Sequence, residues 1–182
     1  MKIIKNKKAI RKPVISGKYG KVVSINISKE KGVKKKPVKE AFIGTIGIEG
    51  DGHSGDWHRQ VSLLSFESME AVNKKGVIKV SPGDFAENIT TEGINLKNLK
   101  TGDIIVFEND EERSNLKQTS NKSFENVKNV VLEITQIGKE CRSPCRIFYE
   151  MGSCIMPVEG IFCKVIDTGK IKVGDKIYIL NK

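Results

Sequence analysis

The chain has 182 residues, a formal net charge of +10, 38% hydrophobic residues and 6% aromatic ones, enough for one domain with a core and too little for two large ones. No apolar run reaches the roughly 18 residues of a membrane-spanning helix, and the basic stretch Met1 to Lys12 lacks the apolar segment of a secretory signal. A cytoplasmic protein with no membrane contact is expected, and its four cysteines read as buried thiols, metal ligands or reactive groups rather than a disulfide scaffold.

Residues 1–17 read as a flexible basic arm. Residues 1–40 hold 14 Lys/Arg against Glu30 and Glu40, whereas residues 41–182 hold 18 against 20 acids. Such an arm can meet nucleic acid or a phosphorylated ligand. It carries no aromatic residue to stack on bases, so a solvated tail is expected and nucleic acid is not. From Gly20 the period changes to two. Val23, Ile25 and Ile27 alternate with Val22, Ser24, Asn26 and Ser28, the pattern of a half-buried strand. The lysine-rich segment Lys29 to Pro37 reads as a loop, either a phosphate contact or a solvated turn. A strand is expected over 40–46, followed by an irregular loop with Gly47, Gly50, Gly52 and Gly55, and a short strand over 60–64. Ser65 reads as the N-cap of a helix over 66–75, with Phe66, Met69 and Val72 on one side and Gly76 as the stop.

Further strands are expected over 104–107, 130–137, 160–166 and 176–180. Between the first two, residues 108–126 are polar and read as a mobile hairpin insertion. Lys100-Thr101-Gly102-Asp103 and Lys172-Val173-Gly174-Asp175 each read as a turn that launches a strand. Many short strands and few helices predict a mainly β fold, a closed or nearly closed barrel over residues 18–182.

Four segments carry candidate chemistry. Residues 47–60 hold both histidines, His53 and His58, and the only tryptophan, Trp57. Their donors suit a metal, Arg59 suits a phosphate, and the competing reading is a turn held by carboxylate–amide bonds. In residues 81–93, Asn88, Thr90 and Thr91 either line a polar ligand site or satisfy their own backbone. In residues 138–152, Ser143 reads as an N-cap, Pro144 as the first helical residue and Gly152 as the stop. This puts Cys145 in the first turn, flanked by Arg142 and Arg146, where a thiolate is favoured. Cys163 shares a strand face with Ile161 and Val165 and reads as a core thiol. The cysteine spacings match no paired-CxxC zinc site. The fourth segment is the lysine triplet Lys34 to Lys36.

The ordered set GKVVSINIS, KKPV, GIEGD with WHRQVSLLS, PGDFAENITTEGI, the SPC segment and IKVGD resembles the MOSC family, named for the C-terminal domain of molybdenum cofactor sulfurases. It looks most like small stand-alone bacterial members. The resemblance covers about residues 18–180. It implies a MOSC or pyruvate-kinase-like barrel with a few short helices, an association with molybdenum cofactor (molybdopterin), and one functional cysteine, Cys145, as catalytic group or molybdenum ligand. It implies cofactor-binding roles for Lys36, for His58, Arg59 and Gln60, and for Glu87, Asn88, Thr90 and Thr91. Two functions follow from it. One is a module that binds the cofactor, or carries sulfur on Cys145, for a cofactor-accepting protein. The other is a molybdenum-dependent reductase of N-hydroxylated compounds fed by an external electron-donor protein. Pyridoxal phosphate is not expected, because the barrel takes almost the whole chain. Ala86 stands where many relatives have glycine.

Overall fold

The computed structural model describes residues 19–108, 129–141 and 143–180. The expectations for residues 1–17, for Arg142 and for nearly all of 108–126 lie outside the described residues. The strands are β1 (Gly20–Ile27), β2 (Lys36–Val38), β3 (Glu40–Gly44), β4 (Gly47–Ile48), β5 (Val61–Ser65), β6 (Ile89–Glu92), β7 (Ile104–Glu108), β8 (Val130–Ile137), β9 (Ile161–Asp167), β10 (Gly169–Lys172) and β11 (Lys176–Leu180). The helices among the described residues are α1 (Phe66–Lys74), α2 (Arg146–Met151) and α3 (Met156–Glu159), with a 3-10 turn at Leu96–Asn98.

Seven strands close on themselves in the order β1-β6-β5-β9-β8-β7-β11, and β11 pairs back onto β1. All neighbours are antiparallel except β5 and β6, which run parallel. Closure satisfies the backbone groups an open sheet would leave at its edges. β2 extends β1 beyond the barrel, and β10, β3 and β4 form a second, three-stranded sheet. The twin turns behave alike. Asp103 accepts the N–H of Lys100 at 2.8 Å and Asp175 that of Lys172 at 2.7 Å, and each turn opens a strand, β7 and β11, which then pair.

The barrel interior is apolar, built from residues such as Ile25, Leu63, Ile89, Ile105, Leu132, Ile134, Cys163 and Ile177. A second cluster, Leu64, Met69, Val80, Phe85, Ile147, Met151, Met156 and Phe162, lies between the barrel wall and the helices. Alternation along the strands sorts the two, since Leu63 and Cys163 join the first and Leu64 and Phe162 the second. Thus β5 is buried on both faces, and the outer face of the β5–β9 pair is free to form a site.

Several sequence expectations need correction. Lys36–Val38 is a strand, not the end of a loop, and the 81–93 segment ends in β6. β1 is not half-buried by simple alternation. A bulge between Val22 and Ser24 shifts its register, and Ser24 and Asn26 are buried with Val22 and Ile25. The second helix begins at Arg146, with Cys145 as its N-cap and no side-chain cap bond, so Ser143 is not the cap and Cys145 is not in the first turn. A six-residue helix that starts after Cys145 removes the basis of the first-turn argument for a thiolate. The first helix agrees with its expectation: Ser65 caps it by accepting the N–H of Ser68.

Candidate functional site

A cleft of about 1300 Å³ opens on the outer face of β5 and β9. Ser62 and Phe162, directly paired across those strands, form part of its floor. The 53–59 loop supplies His53, Trp57, His58 and Arg59, and the loop before β6 supplies Phe85, Ala86 and Asn88. The 136–148 segment supplies Gln136, Lys139, Cys141, Cys145 and Phe148, and Cys154 and Met156 close the far side.

Of the sequence candidates, His58, Arg59, Asn88 and Cys145 line this cleft, while Lys36, Gln60, Glu87, Thr90 and Thr91 do not. His58 Nε2 lies 2.9 Å from Gln136 Oε1. The guanidinium of Arg59 stacks 4.7 Å from the Trp57 ring centre and 5.7 Å from that of Phe162, and its buried Nε has no hydrogen-bond partner among the described residues. Asn88 accepts the N–H and hydroxyl of Ser62 at 3.1 and 3.0 Å, which fixes its amide against β5. Cys145 is half-buried, packed against the outer apolar cluster.

Of the remaining candidates, Gln60, Glu87 and Thr90 are bonded into the scaffold, although Glu87 Oε2 and the buried Thr91 Oγ1 have no hydrogen-bond partner among the described residues. Gln60 is buried; its amide donates to the carbonyls of Thr45 and Gly55 at 3.1 and 3.3 Å and accepts the N–H of Val165 at 2.7 Å. Thr90 donates to Glu87 Oε1 at 2.9 Å, and Asn26 donates to the same oxygen at 3.3 Å and to Thr90 at 3.2 Å. The N–H of Gly83 also points at Glu87 Oε1. Burial pushes the Glu87 carboxyl up to about 7 despite these donors. Thr90 and Thr91 are both fully buried in β6, which is paired on both sides, with β1 and with β5. Lys36 is exposed on β2.

The rest of the lysine triplet is also engaged. Lys34 pairs with Asp84 at 3.3 Å. Lys35 is buried, its Nζ 2.8 Å from both carboxylate oxygens of Asp51. Asp51 further accepts the N–H groups of Ser28 and His53 at 3.1 and 3.0 Å. Burial pushes Asp51 up, but His53 and the Lys35 charge outweigh it and hold the carboxyl well below the usual range; burial lowers Lys35. Lys35 also bonds Gly83, its N–H 2.9 Å from that carbonyl. A Cβ on Gly83, whose φ is +91°, would lie 2.3 Å from the Lys35 carbonyl, so only glycine lets the two loops meet. Lys35 thereby ties three cleft loops together.

Ala86, with φ of 61°, is the non-glycine residue of positive φ among the described residues. Its methyl faces the cleft. Cys163 is fully buried, and burial pushes its thiol far up, in keeping with a core role. Cys141 is exposed and Cys154 half-buried at the cleft, with burial raising the latter's thiol. Among the described residues no three His, Cys, Asp or Glu side chains gather as a metal site. Sequence reasoning gave no role to Lys139, which lies in the 138–152 segment beside the candidate cysteines and lines the cleft.

A family model for the MOSC domain matches residues 50–178. The fold is similar to the crystal structure of the YuaD protein from Bacillus subtilis, with 20% identity, a TM-score of 0.64, and coverage of 90% of this chain and 97% of that one. It is also similar to YiiM from Geobacillus stearothermophilus (18% identity, TM-score 0.62, 89% and 75% coverage). YiiM from Escherichia coli gives 18% identity and a TM-score of 0.59, with 92% and 71% coverage. At these identities the likeness is one of fold. No curated protein matches the sequence.

Proposed function

The chain belongs to the MOSC domain family, which is linked to molybdenum-cofactor proteins, and on that premise we propose that its cleft binds molybdenum cofactor, with Cys145 as the sulfur that meets the metal or carries sulfur for it. The observation that carries this reading is the meeting of Cys145, Arg59 and Asn88, from three distant segments, at one cleft.

The donor set fits the group. The cofactor is a pterin with a phosphate, and its dithiolene brings two sulfurs to the metal. A protein that holds it needs one soft ligand rather than a full ligand set; three thiols, Cys141, Cys145 and Cys154, line the cleft, and no metal cluster of three side chains is present among the described residues. Arg59, with its partnerless buried Nε, would take the phosphate through its planar fork. Asn88, its Oδ1 held by Ser62 and its Nδ2 donating to the Asn26 carbonyl at 3.4 Å, would offer its second amide N–H to the pterin. Phe162 and Phe85 exclude water from the floor. When bound, the cofactor supplies a metal centre for sulfur or oxygen-atom transfer. The cleft volume exceeds the roughly 300–1,000 Å³ of an ordinary small-molecule pocket. That room favours a second, small molecule beside the cofactor, as the reductase reading of N-hydroxylated compounds requires.

The test is elemental analysis and pterin detection on protein purified from a cofactor-producing host. Molybdenum and pterin in matching amounts are expected. Absence of both, with failure to take up added cofactor, contradicts the reading.

A further inference from the structure

Two cations line the cleft around one aromatic ring. The Arg59 guanidinium carbon lies 5.7 Å, and the Lys139 Nζ 5.9 Å, from the centre of the same Phe162 ring. Neither forms an ion pair with a described acid; of the acids on the cleft loops, Asp51 pairs with Lys35 and Asp84 with Lys34, and Asp56 is exposed and does not line the cleft. Glu140, beside Lys139 on the cleft wall, is exposed and forms no ion pair with a described residue. The positive field of Lys139 reaches inward, opposing the charge of Lys35 and favouring the thiolate of Cys154. Two like charges bordering one ring raise the positive potential of the cleft, and its apolar walls strengthen their hold on an anion.

We propose that Arg59 and Lys139 form the anion subsite of the cleft, that its ligand is a phosphate monoester, and that Lys139 takes the place the sequence pattern assigns to Lys36. Lys36 is exposed on β2 and does not line the cleft. Arg59 supplies a planar fork and Lys139 a mobile point charge, a combination suited to a dianion with three terminal oxygens. The phosphate belongs either to the pterin cofactor or to a phosphorylated second molecule. Only that choice of source rests on the function proposed above.

The single tryptophan, stacked 4.7 Å from Arg59, is a built-in reporter. The full chain is titrated with phenyl phosphate and with inorganic phosphate, following Trp57 fluorescence, with an NMR titration in parallel. Wild type is expected to bind phenyl phosphate with an affinity that falls as salt rises. Lys139→Gln should weaken binding about tenfold, the loss of one charge-assisted contact. Lys36→Gln should change it less than about twofold. Thermal melts confirm that both variants fold. Molybdenum and pterin contents of the same preparations identify the source: cofactor lost from Lys139→Gln along with phenyl phosphate binding places the cofactor's phosphate at the pair, and cofactor retained places a second ligand there. No phenyl phosphate binding by wild type, or a tenfold loss in Lys36→Gln with none in Lys139→Gln, overturns the proposal. Wild type that binds phenyl phosphate but holds no cofactor upholds the subsite and contradicts the cofactor reading instead.

Discussion

Lys35 and Arg59 are both cations set on the loops around one cleft, yet their surroundings are opposite. Lys35 is sealed against Asp51, with side-chain exposures of 0% and 1%, and its backbone bonds Gly83. Arg59 rests on two aromatic rings and leaves a buried N–H without a partner. The same contrast runs through the whole site. Beneath the cleft, Asn26, Glu87 and Thr90 bond to one another; at its surface, Cys145, Lys139 and Arg59 have few polar partners or none. Polar groups that satisfy each other hold the loops, and of the unsatisfied ones only those that line the cleft, unlike the buried Glu87 Oε2 and Thr91 Oγ1, are available to a ligand.

The strongest way to break this comparison is at the buried pair. Lys35→Ala leaves the Asp51 carboxylate buried and unpaired, which costs about 3–5 kcal/mol. Urea unfolding should show that loss, and a change under about 1 kcal/mol would mean that the pair does not hold the loops. Next is Glu87. Its carboxyl is raised in the fold from 4.5 to about 7, so the folded chain keeps a proton that the unfolded chain releases. The stability this gives is fully present below about pH 4.5 and is lost as pH rises through about 7, a fall on the order of 3 kcal/mol. Glu87→Gln removes that dependence, and identical pH profiles for wild type and variant would contradict it. Cys163→Ser buries a hydroxyl among Ile161, Val165 and their neighbours and should cost about 1–3 kcal/mol in the same unfolding assay. The smallest stability effect is expected at the cleft surface. Cys145→Ser and Cys141→Ser should each stay within about 0.5 kcal/mol of wild type, and a larger loss at Cys145 would make it a packing residue.

The barrel was legible where hydrophobic periodicity and turn chemistry agree. Val130–Ile137 and Lys176–Leu180 have the expected bounds, and Ser65 caps the expected helix. What was missed is short or polar. β6 is Ile-Thr-Thr-Glu and β10 is Gly-Lys-Ile-Lys. Each is a strand because its neighbours complete its hydrogen bonds, not because its own sequence alternates strongly. In the site, the residue types around 87–91 pointed to ligand binding, but β6 is paired with both β1 and β5, and Thr90 and Thr91 are buried away from the cleft. The opposite error concerns Lys139. It lies in the 138–152 segment, where the sequence drew attention to the cysteines and not to it, and the pairing of β8 with β9 carries it to Phe162. Cys145 and Arg59 were legible from the motif order, but their shared cleft is a tertiary fact.

On the function proposed above, the cleft groups, with Cys145 foremost, would hold molybdenum cofactor. The most direct measurement is molybdenum and pterin per chain in wild type and Cys145→Ser, purified side by side from a cofactor-producing host, with Cys141→Ser as the control. Wild type and Cys141→Ser should carry both in equal amounts, while Cys145→Ser keeps its fold and loses the metal. Equal molybdenum in wild type and Cys145→Ser, or loss confined to Cys141→Ser, would contradict the account.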